Sequence, residues 1–143
     1  MTEIREATEG DVVAILRIDE RASGSDTQRV DALTEAVRAG HVLVHTTEGE
    51  VDGYAHIKPR HFFGRDFVNL LSVSNAHRRV GIGSGLMAAA LGCAGTGQLF
   101  TSTNQSNLPM RRLLERDEWE FSGELDGLDA GDPERVYFKR RKP

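Results

Sequence analysis

The sequence has one cysteine, Cys93, among its 143 residues. That count excludes an intramolecular disulfide and a cysteine-built zinc site. Cys93 is expected to pack as a small apolar residue on a helix. Long hydrophobic runs are also missing. VVAIL and LMAAAL are the longest, far short of the roughly 20 residues that span a bilayer. The opening MTEIREATEGD has no apolar stretch of the secretory kind. The expected setting is therefore cytoplasmic, with no membrane partner. There is no excess of positive charge: Lys and Arg total 18 against 22 Asp and Glu, a net charge of −4 with His neutral. This balance argues against general nucleic-acid binding. The basic end, Lys139 to Lys142, reads as a solvated tail. Repeats, linkers and low-complexity segments are absent, so one domain over 1–143 is expected. With 38% apolar and 28% charged residues, the chain is globular rather than disordered.

What is present centres on VNLLSVSNAHRRVGIGSGLMAAALGCA, residues 68–94. It reads as an apolar strand ending at Val73, a glycine loop, and a helix over 84–94. The strand has few polar interruptions, which predicts a central strand buried on both faces. A helix start carries unpaired N–H groups and about half a positive charge. Anions bind there through hydrogen bonds and electrostatics together. Gly81, Gly83 and Gly85 allow close approach and positive φ. Arg78 and Arg79 add charge suited to bidentate phosphate contacts. A phosphorylated ligand follows. A Rossmann fingerprint fails, because Leu86 stands at its third glycine and no acid follows at the right distance. A P-loop fails because no Gly-Lys-Ser/Thr occurs.

In chain order, a strand over 3–7 leads to Thr8, a helix cap, with Asp11 standing in for the Glu of a capping box. Val12, Ile15, Leu16 and Asp19 share a face of a helix reaching about residue 21. A loop over 22–25 precedes a second helix over 27–39, its inner face Val30, Leu33 and Val37. Gly40 ends that helix in the left-handed conformation. Strands over 41–46 and 51–58 form a hairpin, and HFFGRD connects to a strand over 67–73. Beyond the glycine-loop helix, residues 98–103 form a strand. Pro109 opens a helix that turns Met110, Leu113 and Leu114 inward. Residues 119–125 and 135–139 make a last hairpin. The order βααβββαβαββ is α+β, a mixed and mostly antiparallel sheet of about seven strands with about four helices and one parallel crossover.

Arg78, Gly81 and Gly83 form Arg-x-x-Gly-x-Gly after a strand. This resembles motif A of the GNAT family, the Gcn5-related N-acetyltransferases, and the element order is similar throughout. Asn107 before a helix, with Trp119 opening a strand, resembles the family's motif B. The resemblance implies acetyl-CoA as co-substrate, with no metal. Leu71, Ser72 and Val73 would meet the pantetheine arm through backbone groups. Arg78, Arg79, Val80, Gly81, Ile82, Gly83 and Ser84 would hold the pyrophosphate, and Asn107 would touch the CoA further along. The backbone N–H at or beside Val73 would stabilise the oxyanion. The acceptor would be the amine of a small molecule or peptide, attacking directly in a ternary complex. Dimers are common among similar proteins, and a homodimer stays open.

The chain departs from the family pattern at several points. Leu114 falls where members often carry the Tyr that acts as acid. Glu118 replaces a glycine, Asn75 a proline, and Asn69 a carboxylate found in some members. His56 is the candidate base, with His45, His61, Tyr54 and Tyr137 as other strand or turn groups. Ser72 and Ser74 flank the oxyanion position. Asp129 and Asp132, with Glu20 and Asp26, would form a negative lip for a cationic amine. The loop holding the first two lacks EF-hand spacing. A non-catalytic acyl-CoA-binding module and a nucleotide-binding domain of another class remain as alternatives.

Overall fold

Two tight turns set the register of the central strands in this computed structural model, which describes residues 1–18, 27–75 and 81–142. Strand β2 (Val42–Thr47) turns into β3 (Glu50–Phe62) through Glu48 and Gly49, both at positive φ. Strand β3 turns into β4 (Arg65–Val73) through Phe63 and Gly64, again both positive. Paired positive φ matches the right-handed twist of the strands such a turn joins. Strand β3 is therefore longer than expected, and His61 lies within it rather than in a turn.

The seven strands lie in the order β1-β2-β3-β4-β5-β7-β6. Here β1 is Thr2–Glu6, β5 Gln98–Asn104, β6 Glu120–Leu125 and β7 Glu134–Arg140. Strand β4 pairs in parallel with β5, with Asp66 opposite Leu99, Phe67 opposite Phe100 and Val68 opposite Thr101. The pairs β1–β2, β2–β3, β5–β7 and β6–β7 are antiparallel. The α-helices among the described residues are α1 (Val12–Ile18), α2 (Thr27–Arg38), α3 (Ile82–Cys93) and α4 (Leu108–Arg116). The mixed α+β architecture with one parallel pairing is the expected one.

The chain packs as two units. The first comprises Met1–Ile57 and Leu70–Ala89, the second Lys58–Asn69 and Ala90–Pro143. In the first, Val12, Ile15, Ala36, Val37, Val42, Val44 and Tyr54 form a buried cluster. Leu16, Leu33 and Leu70 pack against it. Gly40 ends α2 at φ 78°, with the His41 N–H donating to the Ala36 carbonyl and the Gly40 N–H to the Val37 carbonyl. These two bonds satisfy carbonyls the helix leaves open. Asp19 to Arg21 and the loop over 22–25 lie outside the described residues.

The second unit has its own ties. Phe67, Phe62, Phe100 and Phe138 form a row in that order, with adjacent ring centroids 5.0–5.5 Å apart. The buried Asp66 carboxylate accepts from the Arg60 and Gly95 backbone N–H groups. The basic end is more than a solvated tail. Arg141 donates to the carbonyls of Leu91, Gly92 and Ala94, capping α3, where a cation also complements the helix dipole. Lys139 donates to the Asp117 carbonyl. Cys93 is exposed and does not pack as expected, because it falls on the last turn of α3.

The expected cap at Thr8 forms through Asp11, whose carboxylate accepts from the Thr8 N–H at 2.7 Å. A 3-10 turn, Glu9–Asp11, precedes α1. Arg5 on β1 adds a bidentate contact to Asp11 at 2.7 and 3.1 Å. That hydrogen bond is the main reason the Asp11 carboxyl falls to about 2, and burial opposes it. The folded state therefore prefers ionised Asp11. Its contribution is complete above the unfolded value near 3.8 and is lost as pH falls toward 2. Asp11→Asn should cost about 2 kcal/mol at pH 7. Urea unfolding should show that gap shrinking below pH 4 and closing near pH 2. A gap constant across this range would show that the Arg5 pair is not its source.

Candidate functional site

Strand β4 and the start of α3 position the expected anion site. Strand β4 is less buried than its sequence suggests. Asn69 is exposed and Leu70 to Val73 are half-buried, with only Asp66 and Val68 fully buried. Its apolar run thus ends in half-buried residues rather than in a doubly covered strand. The β4–β5 pairs end at Val68 and Thr101, while β4 continues to Val73.

Helix α3 starts at Ile82, two residues earlier than expected. The Gly81 carbonyl accepts from the Gly85 N–H at 3.0 Å, the first bond of the helix. Gly81 thus occupies the cap position, at φ 81°. Only glycine adopts that conformation without penalty. A Cβ built on Gly81 would have none of the described residues beyond its chain neighbours within 4 Å. The amides of Ile82 and Gly83 fall in the first turn, where no i−4 carbonyl exists to receive them. That turn contains no acidic residue, so no carboxylate competes for the positive end of the dipole. Burial of Ile82 and Leu86 fixes the helix start in place.

The three glycines play different parts. Gly83 is helical and Gly81 caps. At Gly85 a Cβ would lie 3.3 Å from Ile4 Cδ1, so this glycine lets α3 approach β1. Arg78, Arg79 and Val80 lie outside the described residues.

Sequence reasoning missed Gly53, on β3. A Cβ there would fall 2.8 Å from Ile82 Cγ2 and 3.2 Å from Leu86 Cδ1. The first turn of α3 rests directly on this bare backbone. A glycine inside a strand pattern was the available signal of such a close approach.

The other candidates separate. His56, opposite Val42 on β3, is half-buried and already holds an interaction. His45 is buried, its Nδ1–H donating to Asp52 Oδ1 at 2.6 Å. His61 is exposed beside Phe67. Tyr54 and Tyr137 are fully buried core residues, and the Tyr137 hydroxyl accepts from Arg135 Nε at 2.9 Å. The Ser74 N–H donates to the Asp52 carbonyl at 2.8 Å. Of the amides at and beside Val73, this one is therefore committed to the fold. Asn107 Oδ1 accepts from the Met110 N–H at 3.3 Å and caps α4. Its Nδ2 and the second lone pair of Oδ1 are the groups that could meet a ligand.

The expected lip residues are engaged. Asp129 accepts from Asn104 Nδ2 at 2.9 Å. Asp132 accepts from the Ser106 N–H at 3.0 Å and the Ser106 hydroxyl at 2.6 Å. Asp129 ties the loop to the end of β5 and Asp132 ties it to the segment that follows. Glu20 and Asp26 lie outside the described residues. Leu114 is completely buried, and its carbonyl accepts from the Trp119 N–H. Glu118, where similar sequences carry glycine, adopts φ 64°. It takes the left-handed conformation at a cost of about 1–2 kcal/mol.

The model of the GNAT acetyltransferase family matches residues 10–118. The chain belongs to the GNAT acetyltransferase family. Its fold matches an acetyltransferase of this GNAT family from Bacillus cereus at 27% identity, with a TM-score of 0.91 over 100% of this chain and 99% of that one. A ribosomal-protein-alanine N-acetyltransferase from Brucella melitensis is 25% identical, with a TM-score of 0.77 over 96% and 99% of the two chains. A Salmonella typhimurium structure solved with its cofactor acetyl-CoA shares the GNAT fold at 20% identity, with a TM-score of 0.78 over 99% and 94%. Comparison with curated proteins found no match. No helix among the described residues is long and apolar enough to cross a membrane.

Proposed function

We propose that this chain is an acetyl-CoA-dependent N-acetyltransferase that acts on the amine of a small molecule or peptide. The observation that carries the reading is the start of α3. A glycine at φ 81°, with no described residue beyond its chain neighbours within 4 Å of a Cβ there, is followed by a first turn without carboxylates. Such a cradle fits a diphosphate. Acetyl-CoA would supply an acetyl group already activated as a thioester.

The chain's own part is to bind, orient and manage protons. Gly81, Ile82, Gly83 and Ser84, with Arg78, Arg79 and Val80, hold the diphosphate. The backbone of Leu71, Ser72 and Val73 receives the pantetheine in the manner of an added strand. The Val73 N–H faces the developing oxyanion, and Asn107 Nδ2 contacts the CoA further along. His56 is the proposed base that takes the proton from the amine. Holding amine and carbonyl together supplies much of the rate, so a weak base suffices. Asp129 and Asp132, alongside Glu20 and Asp26, give the acceptor side its negative charge.

Leu114 favours a second reading, an acyl-CoA-binding module without catalysis. It has no proton to give and lies sealed in the core. One experiment separates the two. Free thiol released from acetyl-CoA is measured across a panel of small amines and peptide N-termini, with CoA binding followed calorimetrically. The proposal expects amine-dependent thiol release. Binding with no release on any acceptor would favour the module, and no binding would end both readings.

A further inference from the structure

A buried polar group stands behind β4 that the proposed reaction does not use. Strands β2 and β3 pair regularly from Val42 with His56 up to His45 with Gly53. The next pair is Thr46 with Val51, so the register slips and Asp52 is the extra residue of a bulge. A bulge residue loses its place in the ladder and must be held by something else. Here both carboxylate oxygens of Asp52 are taken. Oδ1 accepts from His45 Nδ1 at 2.6 Å and Oδ2 from Thr47 Oγ1 at 2.5 Å. The His45 and Asp52 side chains are only 10% and 4% exposed. Burying an acid in this way is costly unless its oxygens find donors.

The bulge also aims the main chain. The Asp52 carbonyl accepts from the Ser74 N–H at 2.8 Å, one residue past the end of β4. Next to Asp52, Gly53 would carry a Cβ 3.4 Å from the Ser72 carbonyl and 2.8 Å from Ile82 Cγ2. Asp52 and Gly53 together thus touch the end of β4 and the start of α3.

We propose that His45, Thr47 and Asp52 form a positioning group for acetyl transfer. By locking the bulge, they fix the Asp52 carbonyl, which holds the peptide between Val73 and Ser74 and, through the backbone of Val73, orients the preceding peptide that carries the proposed oxyanion donor, the Val73 N–H. The inference rests on the proposed acetyltransferase reading. None of the three residues touches the reacting atoms. They act through the Ser74 amide.

The test compares wild type with Asp52→Ala, Asp52→Asn and Thr47→Val. Amide hydrogen exchange at Ser74, CoA affinity and steady-state kinetics are measured on each. Asn keeps the shape and can accept from either donor, so it should rescue most of what Ala loses. Thr47→Val removes one donor with little change in shape and serves if Asp52→Ala does not fold. Asp52→Ala should speed Ser74 exchange selectively and lower kcat on the order of tenfold to a hundredfold. CoA affinity should change less than about threefold, since the anion cradle lies on α3. Thr47→Val should move the same readouts in the same direction, by less. Unchanged Ser74 protection and kcat in Thr47→Val and Asp52→Ala would overturn the proposal, as would kcat falling only in step with the unfolded fraction. A wild type that neither binds CoA nor releases thiol would fail the acetyltransferase reading instead. In that event the exchange at Ser74 still reports whether the bulge holds that amide.

Discussion

Gly81→Val should weaken CoA binding on the order of a hundredfold while leaving most of the fold intact. The expected loss has two sources. Gly81 sits at φ 81°, which a β-branched residue adopts only at about 1–3 kcal/mol of strain. Valine relieves that strain by swinging the backbone, which turns the first amides of α3 away from their present direction. Each charge-assisted hydrogen bond lost is worth about 1.5–3 kcal/mol, and one or two of them give the stated factor. The second source is space. Among the described residues beyond its chain neighbours, none lies within 4 Å of a Cβ at Gly81, so the new side chain would enter the space proposed for the ligand. Gly81→Ala should fall between the two, since it has the strain with less bulk. Calorimetric titration with CoA, at matched folded fraction by circular dichroism, reads the effect. Equal affinities for Gly81→Val and wild type would remove the diphosphate from this end of α3.

Gly53→Val should do the reverse, lowering stability first and affinity as a consequence. Its Cβ would sit 2.8 Å from Ile82 Cγ2, with Leu86 Cδ1 at 3.2 Å behind. Ile82 is 4% exposed and Leu86 fully buried, so neither side chain has open space to retreat into. Overpacking of this kind costs about 1–3 kcal/mol, and valine's extra methyls place this site at the upper end. A fall in Tm of roughly 10 °C is expected. Because Ile82 opens α3, displacing it also tilts the anion cradle, so CoA affinity should drop with Tm. A double-mutant cycle with Ile82→Ala, which removes Cγ2, identifies the contact. The smaller partner should recover part of the loss, giving a coupling of at least about 0.5 kcal/mol. Strict additivity would mean that Gly53 acts through something other than the start of α3.

The two glycines also show why the candidate site was only half legible in the sequence. Gly81 announces itself locally: it follows an apolar strand, precedes a helical pattern and stands in Arg-x-x-Gly-x-Gly. Gly53 sits in an ordinary-looking strand, and its partner Ile82 is 29 residues away in the chain. Leu114 shows the same division. Its mismatch with the family's Tyr is visible in the sequence, but its complete burial is decided only in the folded chain. The expected lip rested on counting carboxylates. Asn104 and Ser106, which engage Asp129 and Asp132, belong to a segment more than 20 residues earlier.

The sequence by itself determined the order of elements, the Gly40 helix stop, the Thr8–Asp11 cap and the glycine start of α3. Each of these depends on φ preferences or on hydrogen bonds spanning a few residues, which composition and spacing encode directly. Only the tertiary structure decided that Gly85 faces Ile4, that β4 ends half-open, and that Asp52 bulges out to hold Ser74. Those outcomes turn on which distant side chain or carbonyl arrives at a given point, and on how a strand slips by one residue against its neighbour. Steric room and hydrogen-bond partners of that kind exist only once the chain has folded.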